Sequence, residues 1–198
     1  MVTRQLRRRG IDDERVLAAM ATVPRELFLP PEQRRRAYRD GAVRIGEGQT
    51  MSQPWIVACM SQLLELDGTE TVLEVGTGSG YAAAVLSLLA REVITIERYE
   101  SLAREAEERL EQLGYRNVEV RVGDGSLGAP DRAPFGGISV TATARDEPPA
   151  ALFEQLDSGA ALVCPVQRGR REHLICFRDG REEVVTGVRF VPLVTGDA

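Results

Sequence analysis

Apolar and polar positions along the chain follow two different rhythms, which change over near residue 66. Before that point the spacing is helical. In "IDDERVLAAMATV" (11–23), Ile11, Val16, Leu17, Met20 and Val23 fall largely on one stripe, Asp12 or Asp13 can cap the start, and Pro24 closes the end. "PPEQRRRAY" (30–38) reads as a second helical stretch. "PWIVACMSQLLEL" (54–66) reads as a strong helix with proline in its first turn, where the missing N–H costs nothing. The segment before it, "GEGQTMSQP" (46–54), is then a loop entering a helix N-terminus, where unpaired N–H groups accumulate.

From Thr71 short apolar runs alternate with amphipathic ones. "TVLEVG" (71–76), "EVITIE" (92–97), "VEVRVGD" (118–124), "GISVTAT" (137–143) and "ALVCPV" (161–166) predict strands. "GYAAAVLSLLA" (80–90), "YESLAREAEERLEQLG" (99–114) and "PPAALFEQL" (148–156) predict helices between them. "HLICF" and "EVVTGVRFVPLV" predict two closing strands. Such alternation implies βαβ units around a parallel sheet, with an antiparallel edge from the last strands. The expected fold is α/β, a doubly wound, mainly parallel sheet under an N-terminal helical cap. We expect one domain over 1–198, with residues 1–66 as cap and loop and 67–198 as the α/β core.

Chemistry enters at the turns. "VLEVGTGSGYAAAV" (72–85) puts Gly76, Gly78 and Gly80 directly between a strand and a helix, where glycine lets the backbone turn and approach a ligand closely. Residue 81 is tyrosine, so the dinucleotide pattern GxGxxG is broken, and Glu74 makes the run ExGxGxG. Glu97 ends the next strand, about where a ribose-binding carboxylate is expected. Asp124 ends the third strand and suits an exocyclic amine. Solvated, acidic strand-end turns are the competing reading of both acids. No cation lies in the glycine loop, so the pattern fits S-adenosylmethionine better than a phosphate-rich dinucleotide.

Composition removes several alternatives. All 25 basic residues are arginine, so lysine chemistry is excluded, and His173 is the single histidine, with no nucleophile elbow to partner it. It is expected at a strand edge or on the surface. Cys59, Cys164 and Cys176 sit among apolar neighbours without CxxC spacing, which predicts buried thiols and no metal site. A net charge of −5 speaks against nucleic acid as partner, and neither a signal peptide nor a membrane span is visible. A cytoplasmic setting is the expectation. Whatever reaction runs here needs no general base.

Taken together these segments resemble the protein-L-isoaspartate (D-aspartate) O-methyltransferases. "VLAAMATVPRELFLP" (16–30), "AYRDGAVRIGEGQTMSQPWIVACM" (37–60), "VLEVGTGSGYAAAVL" (72–86), "LEQLGYRNVEVRVGDG" (110–125) and "VRFVPLV" (188–194) match that pattern in order. ExGxGxG is shared by many methyltransferases; "GQTMSQP" and "VPREL" are more specific. The resemblance implies a Rossmann-like fold, S-adenosylmethionine as cofactor, and isoaspartyl proteins and peptides as substrates; a monomer is the expectation, although the sequence does not fix the oligomeric state. It implies Ser52 as the active-site serine, acting by hydrogen bonding and not by covalent attack. Gln49, Thr50, Met51, Glu74, Gly76, Thr77, Gly78, Ser79, Gly80, Glu97, Asp124 and Gly125 form the implied cofactor set. The residues alone also allow Ser52 to be a plain helix N-cap.

Two departures stand out. "FGGISVTATAR" (135–145) replaces a family "FDAIIVTAAAP", and "LDSGAALVCPV" (156–166) replaces "LKPGGRLVIPV". Gly136 and Gly137 are expected to loosen their strand by about 1 kcal/mol. Substrate choice is the property these departures put in question, because Thr141 and Thr143 close that strand near the expected cleft. A dedicated aspartate in a ribosomally made peptide, or a non-catalytic cofactor-binding module, are the alternatives to isoaspartyl repair.

Overall fold

The computed structural model describes residues 1–196. In chain order its regular elements are α1 (Glu14–Thr22), the hairpin β1 (Val43–Arg44) and β2 (Thr50–Met51), α2 (Pro54–Leu63), β3 (Thr71–Val75), α3 (Tyr81–Ser87), β4 (Glu92–Glu97), α4 (Glu100–Leu113), β5 (Val118–Val122), β6 (Phe135–Val140), β7 (Ala144–Arg145), α5 (Ala150–Glu154), β8 (Leu156–Arg168), β9 (Arg171–Arg178) and β10 (Arg181–Gly187). The main sheet runs β10-β9-β8-β6-β3-β4-β5, with β7 paired beside β8. Its strands from β5 to β8 are parallel, and β8, β9 and β10 form the antiparallel edge.

The chain leaves β3 outward through β4 to β5 and then returns to β6 on the other side of β3. That reversal parts the loops above β3 and β6 and opens a crevice at their carboxyl ends. Buried residues fill both faces of the sheet. Leu6, Val16, Leu17, Met20, Phe28 and the α2 and α3 side chains pack on one face, and Leu73, Ile94, Phe135, Ile138, Leu162 and Leu152 on the other. Local chemistry matches the ends of the helices. The Asp13 carboxylate caps α1 by accepting from the amides of Arg15 and Val16 at 2.8 and 3.1 Å. Gly114, left-handed at φ 85°, closes α4.

Three segments differ from the sequence expectation. Residues 30–38 form no α-helix but a 3-10 turn at Pro31–Arg36; all six are at least partly exposed, so no apolar face holds a longer helix. The run at 183–194 is not one strand. β10 stops at Gly187, and the following chain bonds instead to Glu172 and Thr143, through Val188 N to Glu172 O (3.0 Å), Thr143 N to Val191 O (2.8 Å) and Leu193 N to Thr143 O (2.8 Å). The β1/β2 hairpin was not anticipated, since two-residue strands carry no readable period. Its tip is the glycine-rich stretch itself, with Glu47 and Gly48 at φ 54° and 68°. Among the described residues no helix is long and apolar enough to cross a membrane.

Candidate active site

The glycine loop leaves β3 in conformations that L side chains rarely adopt, with Gly76 at φ 97°, Gly78 at 53° and Gly80 at 86°. Space is as restrictive as angle at Gly76, where an added Cβ would lie 2.3 Å from Thr141 Oγ1. That hydroxyl is committed to the carbonyls of Val75 and Gly76, at 3.0 and 2.7 Å. Gly80 serves packing, because its missing side chain leaves room for Ala106 and Leu110 of α4. Glu97 is buried at the end of β4, and its two oxygens accept from Gly78 N (2.8 Å) and Tyr99 N (3.1 Å). Loop and carboxylate are therefore one hydrogen-bonded unit beneath the crevice.

The crevice encloses about 860 Å3, including its open mouth. Gln49, Thr50, Met51, Ser52, Gly76, Thr77, Gly78, Ser79, Glu97 and Gly125 lie on its wall, as do Thr141 and the tail residues Val191–Val194. Three residues of the expected cofactor set stand behind that wall: Gly80, Glu74 and Asp124. Glu74 pairs in register with Thr95 and Ser139, so all three side chains share one face inside the sheet. Thr95 Oγ1 donates to Glu74 Oε2 at 2.6 Å and sits 2.7 Å from Thr77 Oγ1, a hydroxyl relay from the buried acid to the crevice. Burial pushes the Glu74 carboxyl up to about 8, against the Thr95 hydrogen bond and with help from Glu97, so it is mainly neutral at pH 7. Asp124 is engaged at both oxygens, by Ser126 N (2.9 Å) and by Gly196 N of the tail (2.6 Å). Burial alone would raise its carboxyl; the amide hydrogen bonds and Arg98 outweigh it and hold the group below the ordinary aspartate range.

Thr50 and Ser52 border a second cavity on their far side. It encloses about 1000 Å3 with its open solvent and is lined also by Gln53, Ile56, Arg171, Glu172, His173 and Gly187–Phe190. His173 thus sits on β9 at a cavity wall. Glu172 ties that wall together, accepting from the Thr143 hydroxyl and from Phe190 N. The helix-cap reading of Ser52 does not hold: the residue capping α2 is Gln53. The backbone of Ser52 is held from behind by Arg25, whose Nη2 donates to the Ser52 carbonyl at 2.6 Å. Arg25 and Glu172 were invisible in the sequence, where each reads as an ordinary surface charge.

The departures in β6 lie away from both cavities. A Cβ on Gly136 would meet Glu70 side-chain carbons at 2.5 and 2.7 Å, and one on Gly137 would touch Leu64 and Leu66. Ser139 is buried beside Glu74. All three cysteines are buried and free, as their neighbours predicted.

Known proteins place this geometry. The family model for protein-L-isoaspartate(D-aspartate) O-methyltransferase matches residues 1–198. Protein-L-isoaspartate O-methyltransferase 2 of Pelobacter propionicus is 52% identical over 200 residues, covering 98% of this chain and 88% of that protein. A solved protein-L-isoaspartate O-methyltransferase superposes with a TM-score of 0.84 at 30% identity over 96% of this chain; the chain spans 63% of its length. A Plasmodium falciparum structure described as a protein-L-isoaspartate O-methyltransferase, in complex with S-adenosyl-L-homocysteine, shares the fold with a TM-score of 0.82 at 24% identity, over 95% of this chain and 94% of that one. The chain belongs to the protein-L-isoaspartate(D-aspartate) O-methyltransferase family.

Proposed function

We infer that the protein methylates the free α-carboxylate of L-isoaspartyl residues in proteins and peptides, with S-adenosylmethionine as methyl donor. The ester formed then closes spontaneously to a succinimide, which can reopen as normal aspartate. One observation carries the reading: Thr50 and Ser52 line both cavities, so a donor in one and a peptide in the other would meet at those two residues. The glycine cradle fits a nucleoside. Its glycines, lacking side chains, admit close backbone approach, and the Glu97 carboxylate, fixed by two amides, is placed to accept from ribose hydroxyls.

When bound, S-adenosylmethionine supplies a methyl group on a sulfonium, which a carboxylate oxygen captures as the C–S bond breaks. A carboxylate is ionised at neutral pH, so the chain need not supply a base. Its tasks are alignment and exclusion of water. Ser52 Oγ and the backbone at the entry to α2 hold the carboxylate by hydrogen bonds, while Arg171 and Arg189 line the same cavity on its β9 and 187–190 wall. Val57, Val75, Ile96, Val191 and Leu193 line the donor side and keep it dry. Gly187–Phe190 line the second cavity and offer backbone to an extended peptide, so flanking residues should be widely tolerated. The same reading takes a monomer as the functional unit.

The test is methyl transfer to matched peptides that differ only in isoaspartate against aspartate. In isoaspartate the reacting carboxylate hangs on a branch one methylene shorter, so normal aspartate presents it at the wrong depth. The isoaspartyl peptide should react at least about 100-fold faster. Equal rates, or activity confined to one peptide sequence, would shift the assignment to a dedicated biosynthetic substrate.

A further inference from the structure

The segment "VPREL" contributes no group to either cavity, yet it holds a fully buried arginine. Arg25 is fully buried and lies behind the crevice wall. Its guanidinium joins three separate pieces of structure. Nε donates to the Ala37 carbonyl at 2.7 Å, Nη2 donates to the Ser52 carbonyl at 2.6 Å, and Cζ lies over the Tyr81 ring, 4.5 Å from its centroid. Tyr81 is the first residue of α3, directly after the glycine loop, and lines the crevice itself.

We propose that Arg25 is a positioning residue for methyl transfer, one that fixes the Ser52 backbone relative to the glycine loop; this rests on the role assigned to Ser52 above. Ser52 carbonyl and Gln53 N–H belong to one trans peptide, so they point in opposite directions. With the carbonyl drawn onto Arg25, the Gln53 N–H is turned away from it, and no protein acceptor among the described residues takes it up. Ser52 and Gln53 both border the second cavity. The Arg25 charge itself stays behind the wall, so at Ser52 and Gln53 the cavity presents neutral donors whose direction a buried cation sets. A planar guanidinium carries both donors and the ring contact in one rigid frame, whereas an ammonium is a rotating point charge that fixes no such plane.

The experiment compares Arg25→Gln and Arg25→Lys with Leu17→Ala, a core truncation in α1 remote from both cavities. Readouts are thermal midpoint, affinity for S-adenosylhomocysteine, kcat and KM on an isoaspartyl peptide, and amide exchange of residues 43–53. The Arg25 variants should bind S-adenosylhomocysteine within about threefold of the parent, lose about 10- to 100-fold in kcat, and exchange faster across 43–53. Leu17→Ala should lose thermal stability and keep its kcat at temperatures below its midpoint. Unchanged kcat in both Arg25 variants, or an equal loss in Leu17→Ala, would overturn the proposal. So would failure of both Arg25 variants to fold while Leu17→Ala folds, which would make Arg25 a stability residue. If the parent protein binds S-adenosylhomocysteine but ignores isoaspartate, the functional reading has failed, and the exchange difference at 43–53 still decides whether Arg25 holds the loop.

Discussion

The two sides of the crevice are built in contrasting ways. The cradle on the proposed donor side is assembled from strand ends that follow one another closely in the chain, Gly76–Ser79 after β3, Glu97 at the end of β4 and Gly125 after β5, with only the hairpin end and the tail added to its wall from further away. Parallel strands with adjacent registers bring those ends together, and backbone angles do most of the work. The acceptor side draws on four distant places, Arg25, the hairpin at 43–51 with Ser52, Glu172, and the chain from Gly187 to Phe190. Side-chain hydrogen bonds to backbone hold them. A rigid, local cradle suits a constant cofactor; a wall made of tethered segments suits peptides that vary.

The contrast predicts which substitutions separate binding from turnover. The largest effect belongs to the cradle. Gly76→Val forces a β-branched residue to φ 97° and its Cβ onto Thr141, with no free space at 2.3 Å. Strain and clash together should weaken S-adenosylhomocysteine binding by about 1000-fold or more, seen as lost heat in calorimetry of the folded variant. Retention within tenfold would show that the cofactor does not use the cradle.

A smaller effect, and one of a different kind, is expected at Ser52. Ser52→Ala should leave cofactor affinity nearly unchanged and lower kcat on isoaspartyl peptide by about ten- to a few-hundred-fold, as loss of one aligned hydrogen bond would. Should affinity fall with turnover, the two sides are not separable at this residue, and the comparison breaks.

A last effect, read in stability and not in rate, concerns the buried acid linking strand interior to cradle. Glu74 is raised from 4.5 to about 8 in the folded state, so protons stabilise the fold through it. Its contribution is fully present below about pH 4.5 and is lost as pH rises through about 8. The loss should run at on the order of 1 kcal/mol per pH unit across that window. Glu74→Gln keeps an acceptor for Thr95 and removes the titration, so its thermal midpoint should vary less between pH 6 and 8.5. Parallel pH profiles for the two proteins would show that Glu74 is already ionised in the fold.

Much of the donor side was legible in advance. Glycines after a buried strand and an acid at the end of the next one are local signals, and the topology converts them directly into a site. Strand β4 was bounded correctly at 92–97 because a continuous apolar run between charged ends has one sensible reading. Elsewhere local rules failed for identifiable reasons. Glu74 and Asp124 share the strand-end pattern of Glu97, yet one points into the sheet toward Thr95 and the other is taken up by Ser126 and Gly196. Side-chain direction within a strand depends on register, and the tail contact depends on a segment 72 residues away. The departures at Gly136, Gly137 and Ser139 seemed tied to substrate choice. Packed against Glu70, Leu64 and Leu66 or buried beside Glu74, they are matters of sheet interior.

By itself the sequence determined the alternation of strands and helices and the glycine turn followed by a strand-end acid. These depend on residue type and on periods of two or 3.6, which act within a few neighbours. The tertiary structure decided that a glycine-rich stretch is a hairpin tip, that an arginine among helical residues is buried behind Ser52, and that the tail leaves the sheet to wall the crevice. The hairpin closes on bonds within residues 43–51, but the arginine and the tail rest on hydrogen bonds between segments far apart in the chain, whose partners exist only once the core has closed and brought unpaired backbone groups within reach.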